Sequence, residues 1–207
     1  MQENKIYLYP VWVRLWHASN AILILLLIFS GISMQYASAD SPLLSFNVAV
    51  PIHNVCGMLL TAFYAIFIIG NLATGNGKYY RIKIKGFVKD LLKQARYYSY
   101  GMFKGESAPF SINKERKFNP IQKLTYVSVM YLCLPLLFIT GWALLFPETI
   151  ATSFLKYGGI TLTSVFHAAI GFFVSLFLII HIYFCTVGHT PVSNFKSMVN
   201  GYHETHN

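Results

Sequence analysis

Four long apolar segments constrain the fold of this chain more than any other feature of its sequence. Each holds about 20 predominantly apolar residues, the length that one α-helical membrane crossing requires. Of the 207 residues, 55% are hydrophobic and only 11% are charged, whereas soluble domains carry about 25% charged residues. We therefore predict an all-α protein, a single domain built on a four-helix transmembrane bundle, with spans at about residues 14–34, 51–73, 121–146 and 163–187. A proline inside the third span, Pro135, predicts a kink.

The distribution of basic residues predicts how these helices are oriented. The sequence has 16 Lys and Arg residues, and all but Lys156 lie near the two termini, in the loop of residues 74–120 or at the start of the third span. By the positive-inside rule, both termini and that loop face the cytoplasm. The net charge of +9 is thus a topology signal, and it does not predict binding to nucleic acid.

The long loop contains one further helical pattern, between Gly86 and Phe103. Its apolar residues recur at helical spacing, with lysines and an arginine on the opposite face. This pattern predicts an amphipathic helix that lies on the cytoplasmic membrane surface against anionic lipid. The alternative is a docking surface for a cytoplasmic partner.

Two histidines of the fourth span, His167 and His181, are fourteen residues apart in an unbroken apolar run. On an α-helix this spacing leaves their side chains about 40° apart on one face and about 21 Å apart along the axis. Two more histidines lie near the starts of other spans, His17 in the first and His53 in the second. With both termini inside, His53 and His167 share the periplasmic depth, and His17 and His181 share the cytoplasmic depth.

Two imidazoles at each depth match the axial ligands of two bis-histidine haems. A glycine fourteen residues after His17, Gly31, leaves a gap on the ligand face of the first helix at the depth of the other haem. A zinc site is excluded because its ligands must converge on one point. A proton relay stays open as an alternative, but the predicted spans contain no Asp or Glu.

Other polar residues have weaker predictions. We expect Arg14, three residues before His17, to pair with a propionate of the cytoplasmic-side haem or to act only as a membrane anchor. His189, just beyond the fourth span, is a candidate contact for a propionate or a quinone, whereas His203 and His206 are expected to be solvated tail residues. The three cysteines have no metal-binding or haem-attachment spacing and are expected to be free thiols.

Several of these motifs together resemble a known family. They are the run RLWH that opens the first span, the histidine of the second span, the H-x13-H of the fourth, and FNPIQKLTY (118–126) at the start of the third. The chain resembles, over about residues 8–190, the di-haem cytochrome b subunits of bacterial respiratory complexes. These include cytochrome b561, the b-type subunits of nickel–iron hydrogenases, formate dehydrogenase gamma subunits and thiosulfate reductase cytochrome b.

The resemblance implies a multi-pass protein of the bacterial inner membrane with two haem b groups. It implies an electron-transfer subunit between the quinone pool, menaquinone or ubiquinone, and a periplasmic redox subunit. That subunit would be a hydrogenase, a molybdenum enzyme with an iron–sulfur subunit, or a multihaem cytochrome c. The resemblance also implies a quinone site formed by the segment 118–123, near the cytoplasmic-side haem, with Asn119 and Gln122 as contacts. Asn119 is equally suited to cap the third helix, since Pro120 follows it.

Two other functions remain open at this point. The first is a self-sufficient quinol:acceptor oxidoreductase, as in the superoxide-handling cytochromes of the same family. The second is a membrane transporter or scaffold without haem.

Overall fold

The computed structural model describes residues 4–36, 43–149, 153–154, 157–188 and 190–205. It confirms the all-α prediction, since most described residues lie in helices. Seven α-helices are present in this part of the chain: α1 (Val11–Tyr36), α2 (Phe46–Thr74), α3 (Phe87–Ser99), α4 (Pro120–Ser128), α5 (Leu134–Leu145), α6 (Gly159–Thr186) and α7 (Ser193–Asn200). Short 3-10 turns follow α2, α3 and α5, at Asn76–Tyr80, Gly101–Lys104 and Pro147–Thr149.

The four predicted spans are confirmed as helices that are long and apolar enough to cross a membrane. Their bounds are Val11–Tyr36, Phe46–Thr74, Pro120–Leu145 and Gly159–Thr186. The second and fourth helices begin four to five residues earlier than predicted. Pro51 therefore lies inside α2, where its missing N–H leaves only the carbonyl of Asn47 without its usual donor, close to the helix start.

The third span departs from regular α-helix near Pro135. A π-helical turn at Val129–Cys133 joins α4 to α5, and Pro135 is the second residue of α5. Because proline has no N–H and its ring crowds the preceding turn, the hydrogen-bond ladder changes there. The sequence predicts a kink at Pro135, and the structure has a π-helical turn directly before this residue, which the sequence did not predict.

The amphipathic pattern in the long loop forms α3, as predicted. Its apolar side chains Phe87, Leu91 and Tyr98 are partly buried, whereas Lys89 and Lys93 are exposed. Arg96 forms a bidentate ion pair with Glu106, with N–O distances of 3.0 and 3.1 Å. The position of α3 on a membrane surface stays a prediction.

Four short strands were not predicted from the sequence. The strand β1 (Asn4–Tyr7) pairs antiparallel with β4 (Tyr202–Thr205), and β2 (Ser153–Phe154) pairs with β3 (Tyr157–Gly158). The expectation of a solvated tail is therefore wrong for His203, which lies in β4 opposite Ile6. His206 lies outside the described residues.

The chain divides into two compact units, and each unit is made of more than one segment of the chain. The first contains Met1–Arg14, Gly70–Met130 and Ile182–Asn207; the second contains Leu15–Ile69 and Tyr131–His181. The second unit holds most of the apolar core, including Leu60, Phe67 and Leu134. In it Trp16 stacks on Phe67 with ring centroids 4.4 Å apart, and its indole N–H donates to the carbonyl of Phe63 at 2.9 Å.

Candidate cofactor site formed by two histidine pairs

The four predicted ligands all lie in the second unit, where their rings form two adjacent pairs. The ring centroids of His17 and His181 are 6.3 Å apart, and those of His53 and His167 are 6.2 Å apart. All four side chains are partly buried. The pairs join α1 to α6 and α2 to α6, as the depth argument predicts.

Helix α6 presents both of its histidines on one face. Its side chains at 167, 170, 174, 177 and 181 follow spacings of three and four residues, the repeat that keeps residues on one side of a helix. Ile170 and Val174, between the two histidines, are the buried apolar residues of this repeat. His167 and His181 therefore lie on the buried face of α6, separated by about 21 Å of helical rise.

Hydroxyl groups of neighbouring helices orient both rings of the His53–His167 pair. Ser30 Oγ lies 3.0 Å from His53 Nδ1, and Thr140 Oγ1 lies 2.7 Å from His167 Nδ1. Each hydroxyl donates its only hydrogen to a carbonyl of its own helix, that of Leu26 or Leu136, at 2.7 Å. With its hydrogen directed there, each oxygen can accept from Nδ1–H, and in that tautomer the Nε2 lone pair of the histidine is available to a metal.

The His17–His181 pair has a different environment. The ring of Phe177, one turn before His181, stacks on that imidazole with centroids 5.6 Å apart and an interplanar angle of 20°. Aromatic contact of this kind fixes the plane of a ring without consuming a nitrogen. Three residues after His17, the side chain of Asn20 is buried, and its Oδ1 has no partner among the described residues.

Glycines leave room next to the His53–His167 pair. A Cβ on Gly31 would lie 3.4 Å from His53 Cε1, and one on Gly141 would lie 3.3 Å from His167 Cε1. Gly31 therefore occupies the depth predicted for it. One turn after each histidine, Gly57 and Gly171 have no heavy atom within 4 Å of a would-be Cβ.

These dimensions fit an iron held between two imidazoles. Such a metal needs ring centroids about 6 Å apart, because its bonds to nitrogen are about 2.0 Å long and each nitrogen lies about 1 Å from its ring centre. Both pairs meet this requirement, and the space beside Gly57 and Gly171 suits a flat macrocycle. Among the described residues, no group of three or more His, Cys, Asp or Glu side chains is placed to hold a metal ion. The three cysteines are free thiols, as predicted.

Arg14, the propionate candidate, lies one helical turn before His17 on α1. Its Nη1 donates to the carbonyl of Val199 in α7, whereas its Nε is buried without a partner in the described part of the chain. The guanidinium thus keeps a donor available for a carboxylate, and it also anchors the C-terminal helix within the first unit.

The two quinone candidates of the third span form a capping box at the start of α4. Asn119 Oδ1 accepts from the backbone N–H of Gln122 at 2.9 Å, and Gln122 Oε1 accepts from the backbone N–H of Asn119 at 3.2 Å. Asn119 Nδ2 also donates to the hydroxyl of Tyr98 at 2.7 Å. The predicted cap is confirmed. Of the side-chain amide nitrogens of Asn119 and Gln122, only Gln122 Nε2 has no partner among the described residues. His189, the third candidate, lies outside those residues.

Sequence reasoning missed Ser30 and Thr140. Serine and threonine in a membrane helix ordinarily bond to a carbonyl of their own helix, as these two also do. The one available signal was their position directly before Gly31 and Gly141, since a glycine there lets the histidine ring approach the hydroxyl.

Comparison with known proteins identifies the family of this chain. The family described as prokaryotic cytochrome b561 matches the chain over residues 8–201. The protein named "Putative cytochrome YdhU" of Escherichia coli (strain K12) is 44% identical to it over 201 residues, which cover 97% of this chain and 75% of that protein.

Proposed function

This chain belongs to the prokaryotic cytochrome b561 family, and from that premise we propose that it is the membrane-anchor cytochrome b subunit of a respiratory oxidoreductase. It would carry electrons across the bacterial inner membrane between a periplasmic redox partner and the quinone pool. The observation that carries the proposal is that the imidazoles form two pairs, with ring centroids 6.2 Å apart in one and 6.3 Å apart in the other. The two histidines that α6 contributes, one to each pair, are fourteen residues apart.

Each histidine pair would hold one b-type haem. His53 and His167 would bind one through Nε2, with Nδ1–H of each ring donating a hydrogen bond to Ser30 or Thr140. His17 and His181 would bind the second, with Phe177 stacked on His181 to keep that ring in place. Haem bound in this way supplies one-electron transfer at iron whose potential its surroundings set.

The remaining polar candidates have distinct parts in this proposal. Arg14 would pair with a haem propionate through the guanidinium N–H that has no partner among the described residues. Gln122 would donate from Nε2 to a carbonyl oxygen of menaquinone or ubiquinone, whereas Asn119 would act mainly by holding the start of α4 in position. His189 remains a candidate on sequence grounds.

The test is haem content measured on purified variants by reduced-minus-oxidised spectroscopy and by pyridine haemochrome assay. We expect two b haems in the wild-type protein. His167→Ala should remove the haem of the His53–His167 pair and halve the content, and His181→Ala should remove the other, so the two variants should keep spectrally different haems. Phe166→Ala, on the exposed face of α6 beside His167, should retain both.

The same preparations separate this function from its alternatives. Full haem content in both histidine variants would disprove the pairing, and a wild-type protein without a b-haem spectrum would favour a transporter or scaffold. Co-purification of a periplasmic redox subunit would support the anchor role. Quinol oxidation by the isolated chain, without such a subunit, would instead support a self-sufficient oxidoreductase.

A further inference from the structure

A cavity of about 500 Å³ lies where three spans meet their connecting segments. Its walls come from the residues before α1, after α2 and before α4, all of which belong to the first unit. These segments adjoin Val11, Thr74 and Pro120, the terminal residues of three candidate spans. The cavity therefore lies at the depth of lipid headgroups, where a membrane changes from hydrocarbon to water.

The charge in this cavity is entirely positive. Lys78, Lys114 and Lys117 line it, and among the described side chains no Asp or Glu does so. Lys117 is only 6% exposed. Its burial, together with the neighbouring charge of Lys78, lowers its pKa to about 8. In the described part of the chain, no carboxylate forms an ion pair with this ammonium group.

The contacts of Lys117 orient its charge without neutralising it. Its Nζ donates to Asn76 Oδ1 at 2.9 Å and lies 4.2 Å from the ring centroid of Tyr79. Asn76 is itself held by a hydrogen bond of 2.7 Å to Asn71 Oδ1, and Asn71 Nδ2 is buried with no partner among the described residues. An ammonium group has three donors, so this buried network has more donors than acceptors.

The ligand that best completes such a network is an anion that only accepts hydrogen bonds, since it also balances the charge of Lys117. Phosphate oxygens have this property, and a buried cation without a counter-charge is costly. We propose that the cavity binds the phosphate of an anionic phospholipid headgroup. A lipid is favoured over a soluble anion because the cavity adjoins three membrane-helix ends and because its wall also includes the apolar side chains of Leu8 and Pro10.

The test is lipid retention, measured by native mass spectrometry after reconstitution into nanodiscs that mix phosphatidylcholine with phosphatidylglycerol. We expect the wild-type protein to retain phosphatidylglycerol selectively, and Lys117→Gln and Lys78→Gln to lose that selectivity by on the order of tenfold. Lys78 is exposed, so its variant should fold normally even if Lys117→Gln does not. Lys196→Gln, which removes an exposed charge of α7, is the matched control. Phosphatidylglycerol should also raise the Tm of the wild-type protein more than that of Lys78→Gln.

Four results would overturn the proposal. Equal retention of both lipids by the wild-type protein would do so, as would an equal loss of selectivity in Lys196→Gln. Stabilisation by inorganic phosphate that matches the effect of phosphatidylglycerol would assign the cavity to a soluble anion. Loss of a co-purifying protein from Lys78→Gln, with lipid retention unchanged, would assign it to a protein partner.

Discussion

At the residue scale, two hydroxyl groups determine which nitrogen atoms the His53–His167 pair presents. Ser30 and Thr140 can each accept a hydrogen bond from Nδ1–H, since their own hydrogens are directed to carbonyls one turn earlier. A ligand imidazole that donates in this way becomes a stronger base. The His17–His181 pair has an aromatic contact instead, so the two pairs should give their metals different electronic surroundings.

Thr140→Val should raise the midpoint potential of the haem held by the His53–His167 pair. Valine matches the shape of threonine but cannot accept a hydrogen bond from His167 Nδ1–H. The imidazole then donates less electron density to the iron and stabilises ferric iron less. Ser30→Ala should shift the potential in the same direction through His53. Redox potentiometry of the two haems measures both effects.

The matched controls are Thr186→Val and Ser175→Ala. Their hydroxyls bond to carbonyls of α6 and to no histidine. A shift of the other haem, or an equal shift in the controls, would show that the two hydroxyls do not act through the histidine rings.

At the element scale, α6 provides one ligand of each pair because its buried face repeats at intervals of three and four residues. This placement could be predicted from the sequence, since hydropathy defines the span and helical rise fixes the separation of His167 and His181. The π-turn in the third span could be predicted only as an irregularity near Pro135. Proline shows where the ladder loses a donor but not how the neighbouring turns adjust.

Gly57→Ala and Gly171→Ala should lower the content of the haem held by the His53–His167 pair. The added methyl groups meet no protein atom within 4 Å, so helicity and yield should be unchanged, but they would occupy the space assigned to the macrocycle. Haem-to-protein ratio and circular dichroism measure the two quantities. Ala169→Val, which adds bulk on the exposed side of α6, is the control and should keep both haems. Normal haem content in all three variants would show that neither Gly57 nor Gly171 contacts a haem.

At the scale of the whole molecule, the pairing of β1 with β4 brings the two ends of the chain together. Asn4 lies opposite Thr205 and Tyr7 opposite Tyr202, and Gly201, at a φ of 89°, turns the chain from α7 into β4. Sequence patterns could not show this pairing, because two short polar segments about 200 residues apart carry no mutual signal. An even number of spans predicts only that both ends lie on one side of the membrane.

Reporter fusions test on which side the ends lie. Green fluorescent protein fused after Asn207 should fluoresce, whereas alkaline phosphatase fused at the same place should be inactive, because positive-inside topology keeps that end in the cytoplasm. Alkaline phosphatase fused after Glu148, in a truncated chain that ends there, should be active. The reverse pattern would invert the assignment of the two histidine pairs to the sides of the membrane.

The strand pair also orders events during synthesis. Residues 4–7 leave the ribosome before the four spans, whereas their partner, 202–205, is made only after those spans. Strand β1 therefore stays unpaired while the helices enter the bilayer, and the strand pair forms only after residues 202–205 have left the ribosome. A chain interrupted before Tyr202 keeps that edge open, which would mark incomplete molecules for recognition by proteases.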